Sequence, residues 1–326
     1  MKYPTTVMRI ALVVTPMSDH HLRLAAQVGV TDIVARFPGT DRDTLLRLCD
    51  RVTSFGMKLT VVEGCIAHDK IIHGKPGRDE QIADLQKLLR NMGAAGVPIC
   101  CYNWMPCVDW ARTRVDIPER GGALVTGYDA TEDMQPPVPP GQAMTEKGLW
   151  ANLKYLLDRI VPVAEESSVK LAMHPDDPPL PAFRGHIQIL SSIEGFERLM
   201  ELRPSPANGI CFCQGTFAEM GVDIPATIRR LAGHIHYVHF RDVAGAAPSF
   251  RESFHDNGKT DMVEAMRTYF ECGINVPARP DHVPTLDGES NEIPGYHMLG
   301  RLFAVGYMRG LIQAAQTARE TGASAK

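Results

Sequence analysis

The sequence has no run of about twenty apolar residues of the kind a membrane-spanning helix needs, no cluster of Lys and Arg, and almost no excess charge, its formal net charge being −4 over 326 residues. The first absence excludes a helical membrane anchor. The second removes the counterion-releasing surface that nucleic acid or an anionic membrane requires. Cysteine is also scarce, eight residues in a chain of this length, which is too thin for a disulfide framework. The opening MKYPTTVMRIALVV has a short apolar run but neither the basic stretch nor the small-residue cleavage site of a secretion signal. A cytoplasmic protein acting on a small molecule is the expectation, with neither nucleic acid nor membrane as partner and a homo-oligomer as its assembly.

What is present is core material and order. Hydrophobic residues make up 44% of the chain, enough to bury one barrel domain or two ordinary ones. Short β-branched runs alternate with longer amphipathic stretches, the pattern of repeated βα units around a parallel sheet. Eight such repeats can be counted, with strands predicted near Met8 to Val14, Asp32 to Arg36, Lys58 to Glu63, Pro98 to Asn103, Val169 to His174, Gly209 to Cys213, Ile235 to Phe240 and Asn275 to Arg279. Helix signals fall between them. Asp41 or Asp43 can cap a helix through Val52; Ile82, Leu85, Leu88 and Leu89 line one face of Arg78 to Asn91; Thr145 precedes a long helix through Val163; and Met298 to Thr317 forms the last. The reading is an α/β (β/α)8 barrel over residues 1–326 as one domain, with no linker. Residues 104–143, rich in Pro and Gly, are too long for an ordinary connection and are read as a loop insertion after strand 4, lying over the active face.

In such a barrel the chemistry sits where strands end. The polar residues at the predicted strand ends are Arg36, Glu63, Asn103, His174, Cys213, His239, Arg279 and Asp281. Taken singly, a strand-end His or Cys is more often a structural or core residue. Taken together, His174, Cys213, His239 and Asp281 end four successive strands, and their convergence is a far more specific signal. Two imidazoles, a thiolate and a carboxylate suit a first-row transition metal better than magnesium, and manganese, iron(II), cobalt or zinc would all fit. His236 falls on the opposite strand face from His239, His234 precedes the strand, and Cys211 lies one layer deeper, in the core. Arg279 could clasp a substrate carboxylate or form a structural ion pair. Tyr296 could reach the substrate as an acid or base or pack as a loop aromatic. His282 and His297 lie near the same mouth, and either could donate a proton to a leaving hydroxide. Arg241, Asp242, Asp176 and Asp177 are placed to orient imidazoles rather than to react.

The blocks GKPGRDEQIADLQKLLRNMGAAGVPICCYNWMPCVDWARTR (Gly74 to Arg114), LAMHPDDPP, FCQGTFAEMG, HYVHFRDV and RPDH resemble those of the mannonate dehydratases, xylose-isomerase-like TIM-barrel lyases. The resemblance implies that His174, Cys213, His239 and Asp281 bind a divalent metal, Mn2+ first and Fe2+ or Co2+ next, and that Arg279 and Tyr296 are catalytic. It implies a hydro-lyase of sugar-acid catabolism that removes water from D-mannonate, or a close aldonate, to give 2-keto-3-deoxy-D-gluconate. The alternative is a metal-dependent sugar isomerase or epimerase of the same superfamily. Departures fall on the predicted active face: ARFPG (Ala35 to Gly39) stands where the family carries a histidine-containing segment, Glu63-Gly64 replaces a Glu-Ser pair, Val283 stands in place of a glycine, and the tryptophan-rich opening is missing.

Overall fold

The computed structural model describes residues 8–64, 67–139 and 141–320; residues 1–7, on which much of the leader reading rests, lie outside them. Eight strands form a closed barrel: β1 (Arg9–Val13), β2 (Asp32–Arg36), β3 (Lys58–Glu63), β4 (Ile99–Tyr102), β5 (Lys170–Met173), β6 (Ile210–Cys213), β7 (Ile235–Phe240) and β8 (Pro277–Pro280). Each pairs in parallel with its sequence neighbours, and β1 pairs with β8 to close the ring. The main helices of the outer layer are α1 (Asp19–Gln27), α2 (Arg42–Thr53), α3 (Arg78–Ala95), α4 (Glu146–Glu166), α5 (Ile193–Leu202), α6 (Ile224–Leu231), α7 (Met262–Glu271) and α8 (Met298–Glu320).

Local chemistry sets these boundaries. The Asp41 carboxylate accepts from the Thr44 amide at 2.8 Å and starts α2, and the Thr145 hydroxyl accepts from the Gly148 amide to start α4. Helix α3 ends at Gly96, whose φ of 74° is the left-handed conformation glycine adopts without penalty.

Alternation along each strand splits the core in two. Ala11, Val13, Val34, Val61, Ile99, Cys101, Ala172, Cys211 and Tyr237 fill the barrel interior. Their neighbours Leu12, Ile33, Val62, Cys100, Leu171, Phe212 and Val238 face the helices. A residue two positions after an interior one is therefore on the same inward face one layer higher, which is where Glu63, Cys213 and His239 stand.

The stretch read from sequence as a long loop is more ordered than expected. Its strands Arg114–Pro118 and Leu124–Asp129 join a hairpin that follows β7, Val243–Ala246 and Ser249–Glu252, in a four-stranded antiparallel sheet. One of the sheet's three strand pairings, Ser249–Arg251 with Gly127–Asp129, joins residues more than a hundred positions apart, so the sheet as a whole does not show in local sequence.

Candidate active site

Barrel register brings the strand-end residues to one level. Cys213 pairs with His239, His239 with Arg279, and Arg36 with Glu63, while His174 follows β5 directly and its amide bonds the Tyr102 carbonyl. Of these, Arg36, Glu63, His174, His239 and Arg279 line a cavity of about 270 Å³, together with Cys101, Asn103, Asp109, Trp110, Asp177, Asp281, His282 and Tyr296.

One nitrogen each from His174 and His239 and the Cys213 sulfur lie within 4.8 Å of one another. Asp281 Oδ2 is 3.5 Å from His239 Nδ1 and 4.0 Å from Cys213 Sγ. His174 Nδ1 donates to the Pro175 carbonyl at 2.7 Å, so Nε2 is the nitrogen left to ligate. His239 Nε2 faces Glu63 Oε2 at 3.2 Å, and its buried Nδ1, with Asp281 Oδ2 3.5 Å away, has no closer polar partner among the described residues. That is the arrangement of a ligating imidazole whose second nitrogen is steered by a carboxylate.

The charges agree with a cation here. Burial pushes the Cys213 thiol up, but Arg241 and His174 outweigh it and hold it well below its usual range, as a thiolate. Burial likewise opposes ionisation of Asp281, and Arg279, His282 and His239 hold it well below the ordinary carboxylate range. Burial and Arg279 push His239 down, yet Glu63 and Asp281 draw it well above the usual imidazole range. The acids thus pull positive charge onto this point, so the donor set fits a divalent cation.

Arg279 is tied to two acids. Its Nε and Nη2 donate to the two Glu63 oxygens at 2.9 and 2.7 Å, and Nη1 donates to Asp281 Oδ1 at 2.6 Å. Arg279 therefore forms the ion pair, and it also lines the cavity. Arg36 is freer: it lines the cavity, its side chain is 47% exposed, and its bond to Glu63 Oε1 at 2.7 Å uses one of five N–H groups.

Tyr296 lies at the same mouth. Its hydroxyl is 3.0 Å from His282 Nε2 and 3.4 Å from Asp281 Oδ1, and the guanidiniums of Arg36 and Arg301 lie 5.0 and 5.3 Å from its ring centre. His282 Nδ1 is 3.0 Å from Glu252 Oε1. Behind it lies a fully buried network in which Arg112 and Arg241 are shared among Asp177, Glu219 and Glu252. Burial and Asp177 push Glu219 well above its usual range, so two ionised acids face two guanidiniums.

His297 is elsewhere: its Nε2 accepts from the Ile293 amide at 3.4 Å, and it does not line the cavity. His236 bonds the Leu171 carbonyl at 2.8 Å, and burial holds it down to about 4. Among the supporting residues, Arg241 Nε is 3.3 Å from Asp281 Oδ2, Asp176 accepts from the Leu190 amide, and Asp242 accepts from Thr260. Glu63, read only as a strand-end residue, turns out to join Arg36, Arg279, His239 and Tyr237. Glu252 and Arg112 were not singled out at all; nothing local in SFRE marks Glu252, whereas DWARTR at least marked the block that holds Arg112.

Comparison with known proteins bears on what this arrangement does. The D-mannonate dehydratase (UxuA) family profile matches residues 18–138 and 140–321. Mannonate dehydratase 2 of Halalkalibacterium halodurans is 32% identical over 302 residues, covering 84% of this chain and 87% of the relative. The mannonate dehydratase of Streptococcus pneumoniae is 33% identical over 301 residues, covering 83% and 82%. The crystal structure of mannonate dehydratase from Streptococcus suis serotype 2 superposes with a TM-score of 0.88 at 30% identity over 96% of each chain. An L-ribulose 3-epimerase, at 13% identity and a TM-score of 0.65 over 98% of this chain and 99% of its own, shares the fold alone.

Proposed function

The chain belongs to the D-mannonate dehydratase family and is a hydro-lyase, and from that premise we propose that it removes water from D-mannonate to give 2-keto-3-deoxy-D-gluconate, using a divalent cation, Mn2+ first, bound by His174, Cys213, His239 and Asp281. The observation that carries this reading is the meeting of His174, Cys213 and His239 donor atoms within 4.8 Å, with Asp281 Oδ2 beside them.

A cation held there would supply Lewis-acid polarisation of the substrate's oxygens. The residues do the rest. Arg36 offers free N–H groups to the carboxylate of the sugar acid. Glu252 accepts the Nδ1–H of His282, so His282 Nε2 presents a lone pair to the Tyr296 hydroxyl. Tyr296 can then take the C2 proton as its own passes to His282. The C2–H electron pair forms the C2–C3 double bond, the C3–O bond breaks, and His282 protonates the departing hydroxide to water. The resulting enol tautomerises to the 2-keto acid. Arg279, by fixing Glu63 and Asp281, sets the positions of the imidazole and the carboxylate.

The test is to incubate pure protein with Mn2+ and D-mannonate and to measure 2-keto acid and product mass. Formation of a 2-keto acid lighter than the substrate by one water is expected. A product of unchanged mass would instead mark an isomerase or epimerase, and water loss from a different aldonate alone would refute the substrate.

A further inference from the structure

One layer below the proposed metal ligands, the barrel holds a second group of soft donors. Cys101 on β4 and Cys211 on β6 both point inward, and their sulfurs and a nitrogen of His239 lie within 4.8 Å of one another. All three are buried, and Cys101 and His239 also line the cavity, so the group can be reached from it. Glu63 Oε2, 3.2 Å from His239 Nε2, is an oxygen donor at the edge of the same group.

The topology decides what such a pair can do. Strands β4 and β6 are separated by β5, so their backbones stand roughly 9–10 Å apart, at about 4.8 Å per strand step. A disulfide needs Cα atoms within about 7 Å, so the barrel opposes direct oxidation of the pair. A bridging ion does not meet that obstacle. Two thiolates at about 2.3 Å from one tetrahedral cation are about 3.8 Å apart, a separation small side-chain movements supply.

We propose that Cys101, Cys211 and His239 form a second, deeper binding site for a thiophilic dication such as Zn2+ or Cd2+, one that competes with the upper site for His239. Binding releases the two thiol protons to solvent as the metal–sulfur bonds form. Ligand softness sorts the cations. The upper group, with one thiolate and the Asp281 carboxylate, accepts a harder ion such as Mn2+, whereas two thiolates and an imidazole favour zinc or cadmium. A soft ion in the lower site draws His239 away from the upper one and inhibits the enzyme.

The probe is Cd2+ alone, followed by thiolate-to-cadmium ultraviolet absorbance at saturation, with far-ultraviolet circular dichroism to confirm folding. Cys213→Ala keeps the two lower thiolates and should retain a cadmium–thiolate band; adding Cys211→Ala should reduce that band at least about twofold, because one of the two sulfurs is gone. If Cys213→Ala fails to fold, the wild-type protein is compared with Cys211→Ala, and a fall of about one third, one sulfur of three, is expected. Equal bands with and without Cys211 would overturn the proposal. In Mn2+-loaded enzyme, half-inhibition of Cys211→Ala, relative to its own rate, should need at least about tenfold more Cd2+ than wild type, corresponding to about 1.4 kcal/mol. Equal sensitivity would place inhibition at the upper group and also overturn it. The absorbance measurements require no substrate, so a failed dehydration assay leaves them standing, whereas the inhibition arm rests on the proposed activity.

Discussion

Replacing Arg112 with Met tests whether the buried network behind His282 is held by charge balance. The Arg112 guanidinium is fully buried and bridges Asp177 and Glu252, at 2.6 Å from Nη2 to Glu252 Oε1. With Glu219 pushed far up by burial and Asp177, the network holds two ionised acids against Arg112 and Arg241. Met fills much of the stem's volume but leaves one buried negative charge without its partner, a change that costs about 3–5 kcal/mol. Unfolding entropy of about 2.1 cal/mol/K per residue gives about 0.7 kcal/mol/K for 326 residues, so Tm should fall by roughly 4–7 °C in thermal denaturation near neutral pH. The sign with pH follows from the acids. Burial raises Asp177, and Arg112 and Arg241 hold it down at about 2; losing Arg112 raises its folded value toward or above the unfolded one. The variant's deficit should therefore shrink as pH falls and the acids take up protons. Arg112→Met with Glu252→Gln removes one charge of each sign and should regain part of the loss. A Tm within about 1 °C of wild type, or a deficit that does not shrink as pH falls from about 7 to about 3, would refute the argument, since an uncompensated buried charge must both destabilise and titrate.

Tyr296→Phe removes the hydroxyl that faces His282 and Asp281; kcat should fall about 10²- to 10⁴-fold while metal content, read by elemental analysis, is unchanged. Arg36→Met should raise KM for D-mannonate by roughly tenfold to a hundredfold, from loss of a charge-assisted bond of about 1.5–3 kcal/mol; an unchanged KM would leave the carboxylate to another residue. Burial raises Asp176 from 3.8 to about 7. Below pH 4 both folded and unfolded forms are protonated, and between 4 and 7 only the unfolded form ionises freely, so wild-type stability should decline across that window by an amount approaching roughly 4 kcal/mol. Asp176→Asn should lack that decline, and thermal melts at about pH 5 and pH 8 that shift in parallel for both proteins would contradict it.

Much of this molecule follows from pattern alone. Strand periodicity marks β2, β3 and β7 with the boundaries they have in the structure, because fully buried parallel strands need continuous apolar, β-branched runs and the caps of their helices are local. The same alternation places Cys213 and His239 inward and His236 outward. The tertiary structure alone decides how the polar residues are spent. Arg279 is a strand-end cation in the sequence either way; that it is committed to Glu63, 216 positions earlier, while Arg36 keeps free donors, depends on register across the closed barrel. The antiparallel sheet after β4 and the Glu252–His282–Tyr296 chain likewise join residues far apart. Propensity and capping act over a few residues and are written locally, whereas a carboxylate's partner is set by closure of the barrel, which no local window contains.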